Sequence, residues 1–160
     1  MVKRIVWLLT GILLISCFAA YHLASSVVAD QQRFVEQARQ WALTRTSITQ
    51  IDEISEYRGK QSYTVVIGKN KVGTPVIAWM TADELVFDLL EGTVPKKNVE
   101  ETVLRNHPGA DIQHIVPGID GEQRFWEVLY IDEEQQYNYV YYDFYTGAFL
   151  RAYRLNKLPS

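Results

Sequence analysis

A continuous apolar segment, Ile5 to Ala29, constrains this chain more than any other feature. It contains no Asp, Glu, Lys or Arg, and it lies between the basic start Lys3-Arg4 and Asp30. A helix that rises about 1.5 Å per residue crosses a hydrocarbon core of about 30 Å with about twenty such residues. The sequence therefore predicts one transmembrane anchor in the lipid bilayer. Because Lys3 and Arg4 precede it, the N-terminus is expected in the cytoplasm and the remainder outside.

Two other interpretations of this segment stay open. Val27-Val28-Ala29 offers the small residues that a signal peptidase reads, although the apolar run exceeds the ~7 to 15 residues of a signal's apolar core. Leu14-Ile15-Ser16-Cys17 suits a lipid-modifying peptidase, but apolar Phe18-Ala19-Ala20-Tyr21 follows it. All three interpretations place the bulk of the chain on the extracytoplasmic side of the cell membrane.

The extracytoplasmic part is acidic and lacks cysteine. The whole chain has 16 basic and 19 acidic residues, and Cys17 is its only cysteine. Because Lys3 and Arg4 are the only charges before Asp30, the outer part is more acidic than the whole. This balance argues against a nucleic-acid partner or an anionic-lipid surface role. Disulfides and zinc sites built on thiolates are excluded in that part.

Two helices are predicted after the apolar segment. Asp30 to Thr46 has apolar residues at helical spacing, and these are Phe34, Ala38, Trp41 and Ala42. Such a stripe is typical of a helix that faces a core, whereas a helix lying on the membrane is disfavoured because the polar face has no basic excess. Pro95 suits the first turn of a second helix, which is expected from about Pro95 to Asn106.

Eight short segments have the composition of β-strands with turn residues between them. They are Ile48 to Tyr57, Ser62 to Ile67, Pro75 to Met80, Leu85 to Leu90, Asp111 to Val116, Arg124 to Ile131, Gln136 to Tyr142 and Ala148 to Leu155. At Leu85 to Leu90 a helix competes with the strand, because Thr81-Ala82-Asp83-Glu84 resembles a helix capping box.

The chain also repeats itself at an offset of 63 residues. At this offset Tyr63 to Ile67 lies on Trp126 to Tyr130, and Val76 to Trp79 lies on Tyr139 to Tyr142, without gaps. Two copies of a helix packed on an antiparallel sheet produce such a pattern, with a chance alignment of strand-rich sequence as the alternative. The predicted fold class is α+β, with an N-terminal transmembrane helix followed by two tandem units.

The second unit carries a family pattern. Trp126-Glu127-Val128, then a Tyr/Val strand that closes in Asp143-x-x-Thr146-Gly147, resembles a PepSY domain. The basic tail, the span, the first helix and Gly73-Thr74-Pro75-Val76-Ile77-Ala78-Trp79 make the whole chain similar to the YpmB/TseB family. The resemblance favours a strand at Leu85 to Leu90. In one departure from the family, we expect a longer loop at Pro117 to Gly121.

The resemblance implies both a fold and a role. It implies two cystatin-like (PepSY-like) units, assigned to residues 30–92 and 93–160, after a tail and anchor at residues 1–29. It implies a regulator of cell-wall elongation outside a Gram-positive cell that acts on a penicillin-binding protein. No catalytic residue and no cofactor is carried over from the family. PepSY units also occur in propeptides of secreted metalloproteases, so an inhibitor or modulator of an exported peptidase is the alternative.

The sequence lacks the usual motifs of catalysis. Gly-x-Ser-x-Gly, Gly-x-Gly-x-x-Gly and phosphate-cradling loops are absent. His22 is expected at the membrane interface, and His107 and His114 lack the partners of a metal site. Asp132-Glu133-Glu134 lacks the spacing of a calcium loop and is expected to be a solvated hairpin tip. We therefore expect a protein that is not an enzyme and holds no metal.

Two aromatic strands supply the candidate partner-binding residues. Both faces of the strand Arg124 to Ile131 are largely apolar, and the next strand is rich in tyrosine. Since a helix covers only one face of a sheet, either the other unit or a partner covers the second face. Tyrosine and tryptophan are enriched in interface hot spots. The candidates are Trp126, Val128, Tyr130, Tyr137, Tyr139 and Tyr141.

Overall fold

The computed structural model describes residues 15, 16, 18 and 29–155. The predicted span from Ile5 to Ala29 therefore lies almost wholly outside the described residues, and so do Cys17 and His22. Within the described ranges, no helix combines the length and the apolar character that crossing a membrane requires. The anchor, and the two alternatives to it, stay predictions from the sequence.

The described residues form two helices and two antiparallel sheets. Helix α1 comprises residues 29–45, and helix α2 is Lys96–Asn106. The strands are β1 Ile48–Arg58, β2 Ser62–Asn70, β3 Pro75–Met80, β4 Leu85–Leu89, β5 Asp111–Asp120, β6 Gln123–Ile131, β7 Tyr137–Asp143 and β8 Phe149–Leu155. Strands β1 to β4 form the first sheet and β5 to β8 the second, each in chain order. The α+β class, both helices and all eight strands are thus confirmed.

Helix α1 buries the apolar stripe that the sequence predicts. Ala38 and Ala42 are buried, and Phe34 and Trp41 are half-buried. At the end of the helix, the Thr46 hydroxyl donates to the carbonyl of Ala42 at 2.6 Å and accepts from the following backbone. The Ala42 carbonyl also accepts the backbone N–H of Thr46 at 3.2 Å, so the Thr46 side chain reinforces the last turn of the helix just before β1 begins.

The segment after β3 is a strand, as the family resemblance favours. The Thr81 hydroxyl accepts hydrogen bonds from the backbone N–H groups of Asp83 and Glu84 at 3.2 and 2.9 Å. These are the side-chain-to-backbone bonds that a capping box predicts, but here they close the turn between β3 and β4. The same local hydrogen bonds can thus begin a helix or close a turn between strands, which is why the sequence around Thr81 resembles a helix start.

The repeat in the sequence corresponds to a repeat in topology but not in register. An offset of 63 residues brings β1 onto β5, β2 onto β6, β3 onto β7 and β4 onto β8. Val65 pairs with Trp79 across β2 and β3, whereas the equivalent Val128 pairs with Val140 across β6 and β7. The second sheet is thus shifted by two residues at this pair of strands. A shift of two keeps each side chain on its face, because side chains alternate with a period of two.

The loop expected at Pro117 to Gly121 is wrong, because strand β5 continues to Asp120. Proline is tolerated there since β5 is an edge strand that pairs only with β6. At the next position, a Cβ on Gly118 would collide with the ring of Phe125 and lie 2.8 Å from the ring of Tyr57. Glycine therefore allows Tyr57 of the first sheet to approach the second sheet closely.

The two sheets share one buried core. Trp79 of β3 is fully buried, and its indole N–H donates to the carbonyl of Pro117 in β5 at 2.9 Å. Its ring also meets the ring of Phe144 edge-on at 5.6 Å between centroids. Tyr57 of β1 contacts the buried ring of Phe125 in the same way at 5.5 Å. The burial of these rings, more than any polar contact, joins the sheets.

Polar contacts join the sheets at the edge of this core. The Arg124 Nε of β6 lies 3.1 Å from the Asp88 carboxylate of β4, at an angle that makes an ion pair without a hydrogen bond. The Tyr145 hydroxyl donates to the same carboxylate at 2.5 Å. Lys96 of α2 pairs with Glu53 of β1 at 2.7 Å. Partly exposed pairs of this kind stabilise a fold by only about 0 to 1 kcal/mol each.

Candidate functional site

Helix α2 covers one face of the second sheet. Its buried Val99 and Val103 join a cluster of side chains from that face, namely Trp126, Val128, Tyr130, Val140 and Tyr142. The Trp126 indole N–H donates to the carbonyl of Val94 at 2.9 Å. The ring of His107, just after α2, stacks on Tyr130 at 5.0 Å between centroids. This face is therefore interior.

The opposite face of the second sheet is rich in aromatic side chains. Cross-strand pairing places Ile131, Tyr137 and Leu155 in one row and Leu129, Tyr139 and Tyr153 in the next. Tyr141 follows on the same face of β7. We call these seven residues the aromatic face. Tyr137, Tyr153 and Leu155 are 44%, 56% and 53% exposed, and the other four are half-buried.

The first sheet covers only one end of this side of the second sheet. Phe125, which lies on the same side, is fully buried beside Tyr57 and Gly118. At the other end, Tyr137 and Tyr153 face solvent. The sequence left open whether the other unit or a partner covers the second face. The first sheet covers one end of this face, and the other end is exposed in the described residues.

A buried carboxylate lies between the covered end and the exposed end. Glu127 of β6 is only 6% exposed. Its Oε2 accepts a hydrogen bond from the Tyr141 hydroxyl at 2.9 Å, and its Oε1 lies 3.3 Å from His114 Nε2. Burial, followed by the bond to Glu127, raises the pKa of Tyr141 above its ordinary value of 10.0. The phenol therefore remains a donor, which a buried carboxylate requires.

Arg151 of β8 lies across from Tyr141 on the same side of the sheet. Its guanidinium carbon is 4.5 Å from the ring centroid of Tyr141 and 5.1 Å from that of Phe125. Both distances are within the range of a cation–π interaction. The aromatic face therefore has one cationic group at its inner edge.

The structure divides the six predicted partner-binding residues between the two faces. Trp126, Val128 and Tyr130 are 2%, 0% and 4% exposed on the face that α2 covers, and of the three only Tyr130 lines a described surface pocket, beside His107. Tyr137, Tyr139 and Tyr141 lie together on the aromatic face. A partner-binding proposal for the folded protein therefore depends on the three tyrosines of β7.

Two charged residues of this site were not singled out from the sequence. Strand alternation places Glu127 between Phe125 and Leu129 on one face, and it places Arg151 on the face of Tyr153. A charge in an apolar row is the signal that indicates a buried or functional group. The pairing partners of both residues come from other strands, so the sequence alone does not identify them.

The acidic hairpin tip between β6 and β7 is built around Asp132. Its Oδ1 accepts the backbone N–H groups of Glu134 and Gln136 at 3.0 and 2.9 Å, and its Oδ2 pairs with Arg154 at 2.5 Å. The bonds from Arg154 and then from Gln136 lower the pKa of Asp132 below its ordinary value. Both oxygens of the carboxylate are thus engaged in contacts that close the turn.

The lowered pKa of Asp132 gives a stability that depends on pH. A carboxyl with a depressed pKa stabilises the fold fully above its ordinary pKa, here 3.8, and this contribution is lost as the pH falls below that value. Asp132→Asn is therefore expected to flatten the loss of stability on acidification. Asp143, whose pKa is lowered by bonds from Thr146, acts in the same range, so some pH dependence remains.

Urea unfolding of the full chain between pH 5 and pH 2 measures this effect. Glu134→Gln is the matched control, since Glu134 lies at the same turn but is 74% exposed and meets Arg154 only at 3.3 Å. The control is expected to follow the wild type. Parallel pH profiles for Asp132→Asn and the wild type would contradict the assignment.

The possible metal ligands of the described residues have other contacts. The described residues contain no group of three or more His, Cys, Asp or Glu side chains that is arranged to hold a metal ion. His107 stacks on a tyrosine and His114 meets Glu127. Tyrosine and arginine are residue types that are enriched in protein–protein interfaces.

Fold and surface together define the class: an α+β protein of two four-stranded antiparallel sheets with a tyrosine-rich face. Within that class, the chain belongs to the TseB-like family of cell wall elongation regulators. Residues 37–81 match the model of the cell wall elongation regulator TseB-like domain. The family resemblance seen in the sequence is thus confirmed.

Two relatives from Bacillus subtilis support this assignment. The chain is 30% identical over 131 residues to the probable cell wall elongation regulator TseB of strain 168, which covers 79% of this chain and 80% of the relative. A solved structure of the YpmB protein superposes with a TM-score of 0.60 at 27% identity, covering 73% of this chain and 94% of that one.

Proposed function

We propose that this chain is a non-catalytic regulator of cell-wall elongation that acts by binding a penicillin-binding protein outside the cell. In this proposal Ile5 to Ala29 anchors the chain in the membrane with its N-terminus in the cytoplasm. Residues 30–92 and 93–160 are then two cystatin-like units on the extracytoplasmic side. Family membership supports the regulatory role, because the curated relative is named as a regulator of cell wall elongation.

The observation that carries the binding part of the proposal is the exposed end of the aromatic face. A tyrosine at a protein interface contributes a large, rigid contact area and loses little side-chain entropy. Tyr137 and Tyr153 are 44% and 56% exposed in neighbouring rows of one sheet. Contiguous apolar surface of this kind is typical of a protein-binding site.

The shared core makes this surface rigid before a partner binds. Tyr57 and Trp79 of the first sheet pack on Phe125 and Pro117 of the second, so the strands beneath the aromatic face are fixed from both sides. A preorganised surface loses less entropy on binding than a mobile one. We therefore expect the backbone of the second sheet to change little when the partner docks.

Photo-crosslinking in living cells tests the proposed function. The photoreactive residue p-benzoyl-phenylalanine is placed at Tyr153 in the full chain, and captured proteins are identified by mass spectrometry. Val72 is the control position, since it is 85% exposed in the turn between β2 and β3 of the first sheet. A penicillin-binding protein is expected from position 153 and not from position 72.

The other outcomes of this experiment separate the alternatives. Capture of an exported peptidase at position 153 would instead support a PepSY-type modulator of that peptidase. Equal capture of the same neighbours at positions 72 and 153 would contradict a docking role for the aromatic face. Repeating the experiment at Tyr137 guards against a poor orientation of the probe at a single position.

A further inference from the structure

Arg151 differs from the other two arginines of the second sheet. Arg124 pairs with Asp88, and Arg154 pairs with Asp132 and Glu134. No described carboxylate lies within ion-pair distance of Arg151, and its described contacts are the rings of Tyr141 and Phe125. Arg151 as a whole residue is half-buried, and none of its side-chain nitrogens is among the described atoms that are buried without a hydrogen-bond partner. The guanidinium therefore reaches solvent and exchanges its water for another acceptor when a partner covers the face.

The ring contacts fix the guanidinium without satisfying it. No described acceptor atom takes a hydrogen bond from the guanidinium, whose described contacts are the two rings, so its N–H donors remain available. These donors have the fork geometry that binds a carboxylate with two parallel hydrogen bonds. Phe125 is fully buried and Tyr141 is held by its bond to Glu127, so both supporting rings are fixed.

Glu127 acts electrostatically on Tyr57 and Tyr141, as Arg151 does, but its oxygens already contact other side chains. The Tyr141 hydroxyl occupies one oxygen and His114 lies against the other. The charge of Arg151 lowers the pKa of Tyr57 and Tyr141 in opposition to burial, so the guanidinium acts on this site through space. Its hydrogen-bond donors remain unsatisfied by the described residues.

Charge complementarity then determines what can cover the aromatic face. A purely apolar partner would bury Arg151 without a counter-charge, which is strongly unfavourable. A partner that brings a carboxylate forms a charge-assisted pair at the moment when water is excluded. Because the whole chain has a net charge of −3, this attraction is local to the face and does not come from overall charge.

The geometry points to Arg151 as the receptor for an Asp or Glu side chain of the protein that docks on the aromatic face. The guanidinium donates hydrogen bonds to the carboxylate at the inner edge of the aromatic face. Tyr153 and Tyr139 pack on the apolar residues of the partner that surround this carboxylate. This inference rests on the proposed function for its partner. It adds that the partner presents an acidic residue at the centre of its own interface.

The first test places the crosslinker at Tyr137 of the full chain and compares variants. Arg151→Gln is expected to reduce capture of the penicillin-binding protein about tenfold or more, because a bidentate charge pair is lost. Arg151→Lys is expected to be intermediate, since it keeps the charge but not the fork. Arg154→Gln is the matched control on the same strand, where the arginine already pairs with Asp132, and wild-type capture is expected.

Folding is followed separately, because Arg151 also packs on two rings. The melting temperatures of all variants are measured. The capture by Arg151→Lys is compared with that by the wild type if the two melting temperatures are equal. Wild-type capture by Arg151→Gln would overturn the carboxylate inference and leave the proposed function intact. Loss of capture by Arg154→Gln to the same extent would also overturn it, because the effect would not be specific.

A second test does not need the partner. In the full chain labelled with ¹⁵N-arginine, sodium acetate serves as the carboxylate probe, and sodium chloride of equal ionic strength is the control. A saturable change in the Nε–H signal of Arg151, with Arg124 and Arg154 unchanged, supports the inference. Equal, non-saturating changes at all three arginines overturn it. If the wild type captures no penicillin-binding protein, the proposed function fails and this titration alone decides the carboxylate site.

Discussion

Replacing Trp79 by alanine is expected to lower the free energy of unfolding by about 3 to 5 kcal/mol. The ring is fully buried between the sheets, and its contact with Phe144 and its hydrogen bond to the Pro117 carbonyl are lost together. Such a large aromatic side chain leaves a cavity that a core bounded by two sheets cannot close. The loss is a large share of the stability of an ordinary domain.

Urea unfolding followed by far-ultraviolet circular dichroism measures this loss without relying on the fluorescence of the removed indole. Trp79→Phe is the matched variant, because it keeps an aromatic ring but leaves the Pro117 carbonyl without its donor, at an expected loss of about 1 to 3 kcal/mol. Both sheets are expected to unfold in one transition. A loss below about 1 kcal/mol for the alanine variant would show that the indole does not join the sheets.

Gly118→Ala is expected to destabilise the fold by about 1 to 3 kcal/mol, although it adds a single methyl group. The added Cβ would collide with the Phe125 ring and press on Tyr57. Both rings are buried, so neither can move aside without disturbing the contact between the sheets. The strain therefore falls on the closest approach of β1 to β5.

Gly109→Ala is the control for this substitution. The three atoms nearest to a Cβ at Gly109 all belong to the side chain of Glu133, which is exposed and can rotate away. Its effect is expected to remain within about 0.5 kcal/mol in the same urea experiment. Equal effects at the two glycines would show that the close approach at Gly118 is absent in solution.

Local patterns were sufficient to predict most of the secondary structure. Alternation and turn residues located seven of the eight strands within a few residues, the family resemblance decided the strand after Thr81, and Pro95 located the start of α2. The error at Pro117 has a physical reason. Proline and glycine usually indicate a loop, but an edge strand tolerates proline, and the approach of Tyr57 requires glycine.

The candidate site was predictable only in part, because burial depends on which face the helix covers. The sequence shows that both faces of β6 are apolar, yet nothing local distinguishes the face of Trp126 from the face of Leu129. The packing of α2 on Trp126 decides this, and it makes Tyr137, Tyr139 and Tyr141 the accessible candidates. Likewise, the partners of Glu127 and Arg151 come from other strands.

The register of the repeat was not predictable for a related reason. A shift of two residues between β6 and β7 leaves every side chain on its face, so the apolar pattern is the same with or without it. Gapless alignment of Val65 with Val128 therefore gives the correct strands with the wrong cross-strand neighbours.

Each of the two sheets completes the interior of the other. A fragment that ends before Gly92 would display the indole of Trp79 to water, and one that begins after it would display the ring of Phe125. Cleavage at this joint would therefore produce two fragments with exposed apolar surface that are prone to aggregate. Burial of Trp79 and Phe125 therefore requires both sheets together.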